Sequence, residues 1–175
     1  KGGSKHWADP IIVGKEMDKR LRGQKDAAGA QHAMPAAKKE SGMSERSMKQ
    51  RMIAGEPYRA DDPEIIADQL AAAAWMRAFN ATLPPDREAL LRERLGAVGA
   101  GSTIRPPFHC DYGFNIFLGE GVFLNFNCVI LDVVEVSIGD GTQIGTGVQI
   151  LTADHPRDAV ERATGIEWGR PIRIG

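Results

Sequence analysis

Residues 116–150 read IFLGEGVFLNFNCVILDVVEVSIGDGTQIGTGVQI, and aliphatic side chains recur in this stretch at every sixth position. One series is Leu118, Leu124 and Ile130, and the next begins at Ile138. A helix repeats at about 3.6 residues and a strand at about 2, so a period of six fits neither. Such a period is typical of extended chain that bends at regular intervals and points one apolar side chain inward per turn.

An aliphatic–glycine pair marks a longer repeat. It occurs at Val98-Gly99, Leu118-Gly119, Ile138-Gly139 and Ile174-Gly175, at separations of 20, 20 and 36 residues. Three turns of six make a triangular coil of about 18 residues, and stacked coils bury one another's apolar edges. A spacing of 20 is then one coil plus a short bulge. The spacing of 36 is one coil plus an excursion loop, which we assign to residues 152–171.

Composition separates an N-terminal segment from the rest. The chain has 175 residues, is 42% hydrophobic and carries a formal net charge of −1. Residues 1–42 show no sustained period and mix basic with acidic side chains, so we interpret them as a disordered or non-native extension. A basic arm for nucleic acid or a membrane surface is the alternative, and the interspersed acidic residues argue against it.

The compartment is predicted from the cysteines and from the N-terminal segment. The apolar run Ile11-Ile12-Val13 is too short for a signal peptide or a membrane span. Cys110 and Cys128 fall on or beside coil positions and form no CxxC pair, which is typical of small buried side chains. A reducing, cytoplasmic location follows.

The segment between the extension and the coils has a helical pattern. A short polar helix is predicted for residues 44–54, a second begins near Pro63 and continues through Phe79, and a third runs from about Pro85 to Gly96. We therefore predict a helical cap at residues 43–96 and a coil stack at 97–175. A cap ahead of the stack covers an open strand edge.

A series of motifs along the chain carries a family resemblance. In order they are MIAGEPYRADDPE (52–64), FNAT (79–82), PP (106–107), DYGFNI (111–116), NFNC (125–128), LD (131–132), IGD (138–140), TADHP (152–156) and GIEW (165–168). Together they resemble the maltose/galactoside O-acetyltransferase family over about residues 43–175. The six-residue period alone indicates only the wider hexapeptide-repeat superfamily.

The resemblance implies a fold, an assembly and a reaction. The fold is a mainly β, left-handed parallel β-helix, and its hand comes from the family because the general crossover rule favours the opposite one. The assembly is a homotrimer with active sites between neighbouring subunits. The reaction moves the acetyl group of acetyl-CoA to a sugar hydroxyl.

His155 matches the catalytic base of the family within the TADHP motif. A sugar hydroxyl is a poor nucleophile at neutral pH, and histidine is the side chain best matched to accepting its proton there. The alternative for His155 is an imidazole that anchors the loop to the backbone.

Two further residues match acceptor-binding positions within the coils. Asn125 corresponds to an acceptor-binding asparagine, whose amide can both donate to and accept from a hydroxyl. Its alternative is an asparagine ladder within the stacked turns. Asp111 stands where the galactoside members carry serine, which favours the maltose-type branch.

The remaining acceptor candidates each have a structural alternative. Asp132 could contact the acceptor or serve as a turn carboxylate. Glu167 could orient His155 or bind a sugar hydroxyl, and a solvated loop charge is the alternative. Tyr58 and Asp61 resemble cap residues that close the acceptor pocket, although Asp61 is equally an N-cap candidate.

The family continues beyond Ile174-Gly175 with further coils that carry the pantetheine groove, so we expect the residues that bind acetyl-CoA beyond Gly175. On this prediction the C-terminal coils are missing and the chain is an acceptor-side half with its base. A truncated, non-catalytic β-helix scaffold is therefore one alternative. A metal-dependent β-helix hydratase is another, but it needs three histidine ligands and the coil region has only His109 and His155, so no metal is predicted.

Overall fold

Three helices and one short strand precede the repeats. The computed structural model describes residues 46–175, and the extension predicted at residues 1–42 lies outside them. The elements are α1 (Met48–Ile53), β1 (Tyr58–Arg59), α2 (Pro63–Ala81) and α3 (Arg87–Arg94). Across residues 46–175, no helix combines the length and the apolar character that crossing a bilayer requires.

Side chains that bond to the backbone define where the first two helices begin. The Ser47 hydroxyl accepts from the backbone N–H of Gln50 at 3.2 Å, and the Gln50 side chain accepts from the backbone N–H of Ser47 at 3.0 Å. At α2 the cap is Asp62, whose carboxylate accepts from the backbone N–H of Glu64 at 2.9 Å. The alternative assignment of Asp61 as this N-cap is wrong, because the Asp61 carboxylate is bound by Arg59 instead.

Three strands form each coil of the main body. The first coil holds β2 (Ala97–Val98), β3 (Thr103–Ile104) and β4 (Phe108–Cys110), and the second holds β5 (Ile116–Leu118), β6 (Phe123–Leu124) and β7 (Cys128–Leu131). The third holds β8 (Val136–Ile138), β9 (Gln143–Ile144) and β10 (Gln149–Leu151). Equivalent strands of successive coils pair in parallel and build three sheets, ordered β2-β5-β8-β13 with β13 at Ile172–Ile174, β3-β6-β9, and β4-β7-β10. The excursion between β10 and β13 contains β11 (Ala153–Asp154), α4 (Ala159–Arg162) and β12 (Ile166–Gly169).

The strand register confirms the predicted repeat. Val98 pairs with Leu118, Leu118 with Ile138, and Ile138 with Ile174. The other two sheets keep the same offset of 20 residues between coils, and their inward side chains are buried, with Leu124 at 0% exposure. Each coil therefore covers the apolar edge of the next.

The glycine of the aliphatic–glycine pair lets successive coils approach closely. A Cβ on Gly99 would lie 2.2 Å from the carbonyl oxygen of Gly119, and one on Gly119 would lie 2.8 Å from the backbone nitrogen of Asp140. Real Cβ atoms do not tolerate such distances, so glycine is required at these corners.

Helix α2 packs over the first coil and covers its open edge. Trp75 and Phe79 stack with ring centroids 5.1 Å apart, and both meet Phe108 edge-on at 6.4 Å. The Asn80 amide both donates to the backbone carbonyl of Phe108, at 3.0 Å, and accepts from its N–H, at 2.9 Å. Asn80 thereby satisfies backbone groups of β4 that no further coil would bond.

Candidate active site

A three-stranded antiparallel sheet joins the cap to the excursion loop. Tyr58 of β1 lies opposite Glu167 of β12, and on the other side of β12, Asp154 of β11 lies opposite Trp168. His155 follows β11 directly. The strand from the cap, the strand that carries Glu167 and the strand that leads to His155 therefore lie side by side.

The Glu167 carboxylate contacts both Tyr58 and His155. The Tyr58 hydroxyl donates to Oε1 of Glu167 at 2.6 Å. The other oxygen, Oε2, lies 3.5 Å from Nδ1 of His155, and the two side chains are 17% and 41% exposed. Because Nδ1 faces the carboxylate, Nε2 is the imidazole nitrogen that remains to meet a substrate.

The backbone N–H of His155 is held by the side chain of the preceding residue, Asp154. The N–H of His155 donates to Oδ1 of Asp154 at 2.8 Å, and the Arg157 guanidinium lies 3.6 Å from the same oxygen. Our sequence reasoning did not single out Asp154. The signal that could have found it is an aspartate directly before the candidate base, since such a side chain commonly bonds the backbone around it.

The negative charge of Glu167 acts on the carboxyl group of Asp111. Burial, followed by the negative charge of Glu167, raises the pKa of the Asp111 carboxyl to about 6. Burial, followed by the bond to Glu167, raises the pKa of Tyr58 well above its ordinary range, so its hydroxyl stays protonated as a donor. Direct contacts thus join three predicted site residues, Tyr58, Glu167 and His155, and the charge of Glu167 acts on a fourth, Asp111.

Asp132 is buried and its carboxylate binds backbone N–H groups. Its side chain is 0% exposed, and its two carboxylate oxygens accept from four N–H groups at 2.7–3.2 Å. The donors are the backbone amides of Asp111, Tyr112, Gly113 and Asn115. Burial raises the pKa of Asp132 to about 6, although the backbone donors act to lower it. In this structure Asp132 holds the turn that carries Asp111.

The side chain of Asn125 bonds to residues outside the group. It follows β6, in the sheet β3-β6-β9, whereas His155 follows the sheet β4-β7-β10 and its excursion. The Asn125 side-chain oxygen accepts from the backbone N–H of Phe126 at 2.9 Å and from Nη1 of Arg105 at 3.5 Å.

Asp61 is a surface residue paired with the cap strand. Arg59 donates to both of its carboxylate oxygens, at 3.0 and 2.6 Å, and this bond lowers the pKa of Asp61. The same guanidinium donates to the backbone carbonyl of Thr164 on the loop. Asp61 therefore fixes the orientation of the Arg59 guanidinium, which binds the excursion loop at Thr164.

Within residues 46–175, no group of three or more histidine, cysteine, aspartate or glutamate side chains is arranged to hold a metal ion. The two cysteines in this part of the chain, Cys110 and Cys128, are both free and buried.

Known proteins with similar sequences and structures agree with this architecture. The family model of the maltose acetyltransferase hexapeptide capping motif matches residues 51–99. Nodulation protein L of Rhizobium meliloti (strain 1021) is 59% identical over 133 residues, which cover 74% of this chain and 73% of that protein.

Two solved structures show the same fold. A maltose O-acetyltransferase from Clostridium difficile 630 superposes with a TM-score of 0.70 at 38% identity, over 73% of this chain and 70% of that one. A hexapeptide-repeat-containing acetyltransferase from Vibrio cholerae O1 biovar eltor, complexed with acetyl coenzyme A, gives a TM-score of 0.66 at 35% identity, over 72% and 69%. The resemblance read from the motifs is confirmed: this chain belongs to the maltose/galactoside O-acetyltransferase family, whose fold is a left-handed parallel β-helix of hexapeptide repeats.

Proposed function

We propose that this protein transfers the acetyl group of acetyl-CoA to a hydroxyl of a sugar of the maltose or glucose type, with His155 as the general base. The observation that carries the proposal is the contact of Nδ1 of His155 with Glu167, at 3.5 Å, on a loop that leaves Nε2 free for the acceptor. The acetyl-CoA complex of the similar Vibrio cholerae enzyme supports the choice of donor.

The proposed reaction has one proton acceptor. Nε2 of His155 takes the proton of the acceptor hydroxyl. At the same time, the hydroxyl oxygen forms a bond to the thioester carbonyl carbon. The imidazolium that forms is stabilised by the negative charge of Glu167. The tetrahedral intermediate then collapses, the carbon–sulfur bond breaks, and the thiolate of coenzyme A takes the proton back from the imidazolium. The products are an acetylated sugar and free coenzyme A.

The carboxylates around His155 are the proposed acceptor contacts. Asp111 and Glu167 accept hydrogen bonds from sugar hydroxyls, because an ionised carboxylate is an acceptor with several lone-pair sites. Asp132 acts through the turn that it holds and does not touch the sugar. Tyr58 and Asp61 of the cap help to close the acceptor pocket.

We further propose a homotrimer whose sites lie between subunits. We place the Asn125 that contacts the acceptor in a neighbouring copy, because within one chain its side chain bonds Phe126 and Arg105 and not the residues around His155. This arrangement is the one that the family resemblance implies, and it makes each site dependent on two subunits.

A cytoplasmic location is proposed with the reaction. The free, buried cysteines Cys110 and Cys128 are typical of a reducing compartment.

The reaction is tested by incubating the purified full-length protein with acetyl-CoA and a panel of sugars. We expect free thiol to form only when a sugar is present, and the sugar to gain one acetyl group by mass spectrometry. Binding of acetyl-CoA without sugar-dependent thiol release would favour the scaffold alternative.

The identity of residue 111 is expected to affect acceptor choice. Asp111→Ser removes a partly buried carboxylate and introduces the residue that the galactoside members carry there. We expect kcat/KM for maltose and glucosides to fall relative to that for galactosides, because pocket groups left without their partner discriminate strongly between acceptors. Competition assays with paired acceptors measure the ratio. An unchanged ranking with full activity would put Asp111 outside the pocket.

A further inference from the structure

Resting on the proposed function, we infer that Tyr58 of the cap is a positioning residue for acetyl transfer, which holds Glu167 so that its second oxygen faces His155. Tyr58 does not touch the reacting atoms in this account. It acts through the loop carboxylate, and the helical cap is thereby part of the catalytic machinery.

The first support is the geometry of the Tyr58–Glu167 bond. The two residues are direct cross-strand partners, and the hydroxyl–carboxylate distance is 2.6 Å. Tyr58 is 1% exposed, so its ring is fixed by packing and its hydroxyl has one direction in which to donate. A glutamate side chain has several rotatable bonds, and a short bond to one oxygen restricts where the other can lie.

The second support is that the cap strand holds the loop at two points. Tyr58 binds Glu167 on the buried side, and the next residue, Arg59, binds the carbonyl of Thr164 near the loop's helix. Strand β12 is held by β11 on one side and by β1 of the cap on the other. The position of β12, and with it the position of Glu167, therefore depends in part on the cap.

The consequence for catalysis concerns Nδ1 of His155. With Glu167 in place, Nδ1 keeps its proton toward the carboxylate and Nε2 is the free base. If Glu167 rotates away, both ring nitrogens compete for the proton and the productive form is less populated. The chemical step is slowed, whereas the binding of acetyl-CoA, which does not involve this contact, is not.

Tyr58→Phe tests the inference, because it removes the hydroxyl and keeps the ring. We expect kcat to fall about tenfold, since small misplacements of reacting groups have large effects on rate, and KM for acetyl-CoA to stay unchanged. The matched control is Tyr112→Phe. Tyr112 is also 1% exposed, but its hydroxyl accepts from Gln69 at 3.3 Å, whereas the Glu167 carboxylate is bonded by Tyr58. The control should retain the wild-type kcat.

A double-mutant cycle separates positioning from general stability. In a Glu167→Ala background, Tyr58→Phe should cause no further loss of kcat, because the group it positions is gone. Equal losses in both backgrounds would overturn the inference. A fall in melting temperature with unchanged kcat would likewise show that the hydroxyl is only structural.

An activity-independent readout separates this inference from the proposed reaction. The ¹⁵N chemical shifts of the His155 ring, assigned with a His155→Asn variant, should move in the same direction in Tyr58→Phe and Glu167→Gln and stay fixed in Tyr112→Phe. Unmoved ring shifts in Tyr58→Phe would refute the positioning role even in an active enzyme. Moved ring shifts without sugar-dependent thiol release would support the contact while contradicting the reaction.

Discussion

His155→Ala is expected to lower the rate of acetyl transfer by about 10²- to 10⁴-fold, the usual contribution of a general base. The fold should survive, because the side chain is 41% exposed and lies on a loop outside the coil core. The backbone bond from residue 155 to Asp154 does not need the imidazole. Steady-state rates at saturating acetyl-CoA and sugar measure the loss, and circular dichroism checks the fold.

The matched control for this substitution is His109→Ala. His109 is an exposed histidine on β4 of the coil, and it has no role in the proposed chemistry. We expect this variant to keep the wild-type rate. If His155→Ala and His109→Ala were equally active, His155 could not be the base.

Asp132→Ala is expected to lower the free energy of unfolding by roughly 3–5 kcal/mol. The substitution leaves the four N–H groups that Asp132 accepts from without an acceptor, at a site with 0% exposure. Each buried donor left unpaired costs about 1–3 kcal/mol, and partial relaxation of the turn reduces the sum. Urea unfolding followed by circular dichroism gives the difference.

Asp140→Ala is the control for the loss of an aspartate that bonds backbone. Its carboxylate accepts from the N–H of Glu120 at 2.7 Å, in an exposed turn between coils. Water can replace that acceptor, so a loss of about 1 kcal/mol or less is expected. If the two variants were equally stable, the turn that carries Asp111 would not depend on Asp132.

The coil could be predicted from the sequence because its determinants are local and periodic. Which side chain points inward is set by position in a six-residue turn, and the pairs of Val98, Leu118, Ile138 and Ile174 follow from their spacing alone. The glycines that follow Val98 and Leu118 mark the close contact between coils. Helix α2 was predictable for a similar reason, since Pro63 and the apolar spacing both lie within it.

Much of the site could not be predicted because its contacts are long-range. Tyr58 and Glu167 are 109 residues apart, and only the pairing of β1 with β12 brings them together. The sequence alone could not decide between an acceptor contact and a turn carboxylate for Asp132, because burial and backbone geometry distinguish them. The choice of Asp62 over Asp61 as the N-cap likewise depends on Arg59, which binds Asp61. The acceptor role of Asn125 stays a prediction.

Mixed trimers test most directly the claim that His155 accepts the proton in a site completed by Asn125 of a second copy. His155→Ala and Asn125→Ala chains are co-expressed with different tags, and assemblies that carry both tags are isolated. Whichever variant is present twice, one of the three interfaces pairs an intact His155 with an intact Asn125, so about one third of the wild-type rate of sugar acetylation is expected. Activity no higher than that of either parent variant would contradict the account.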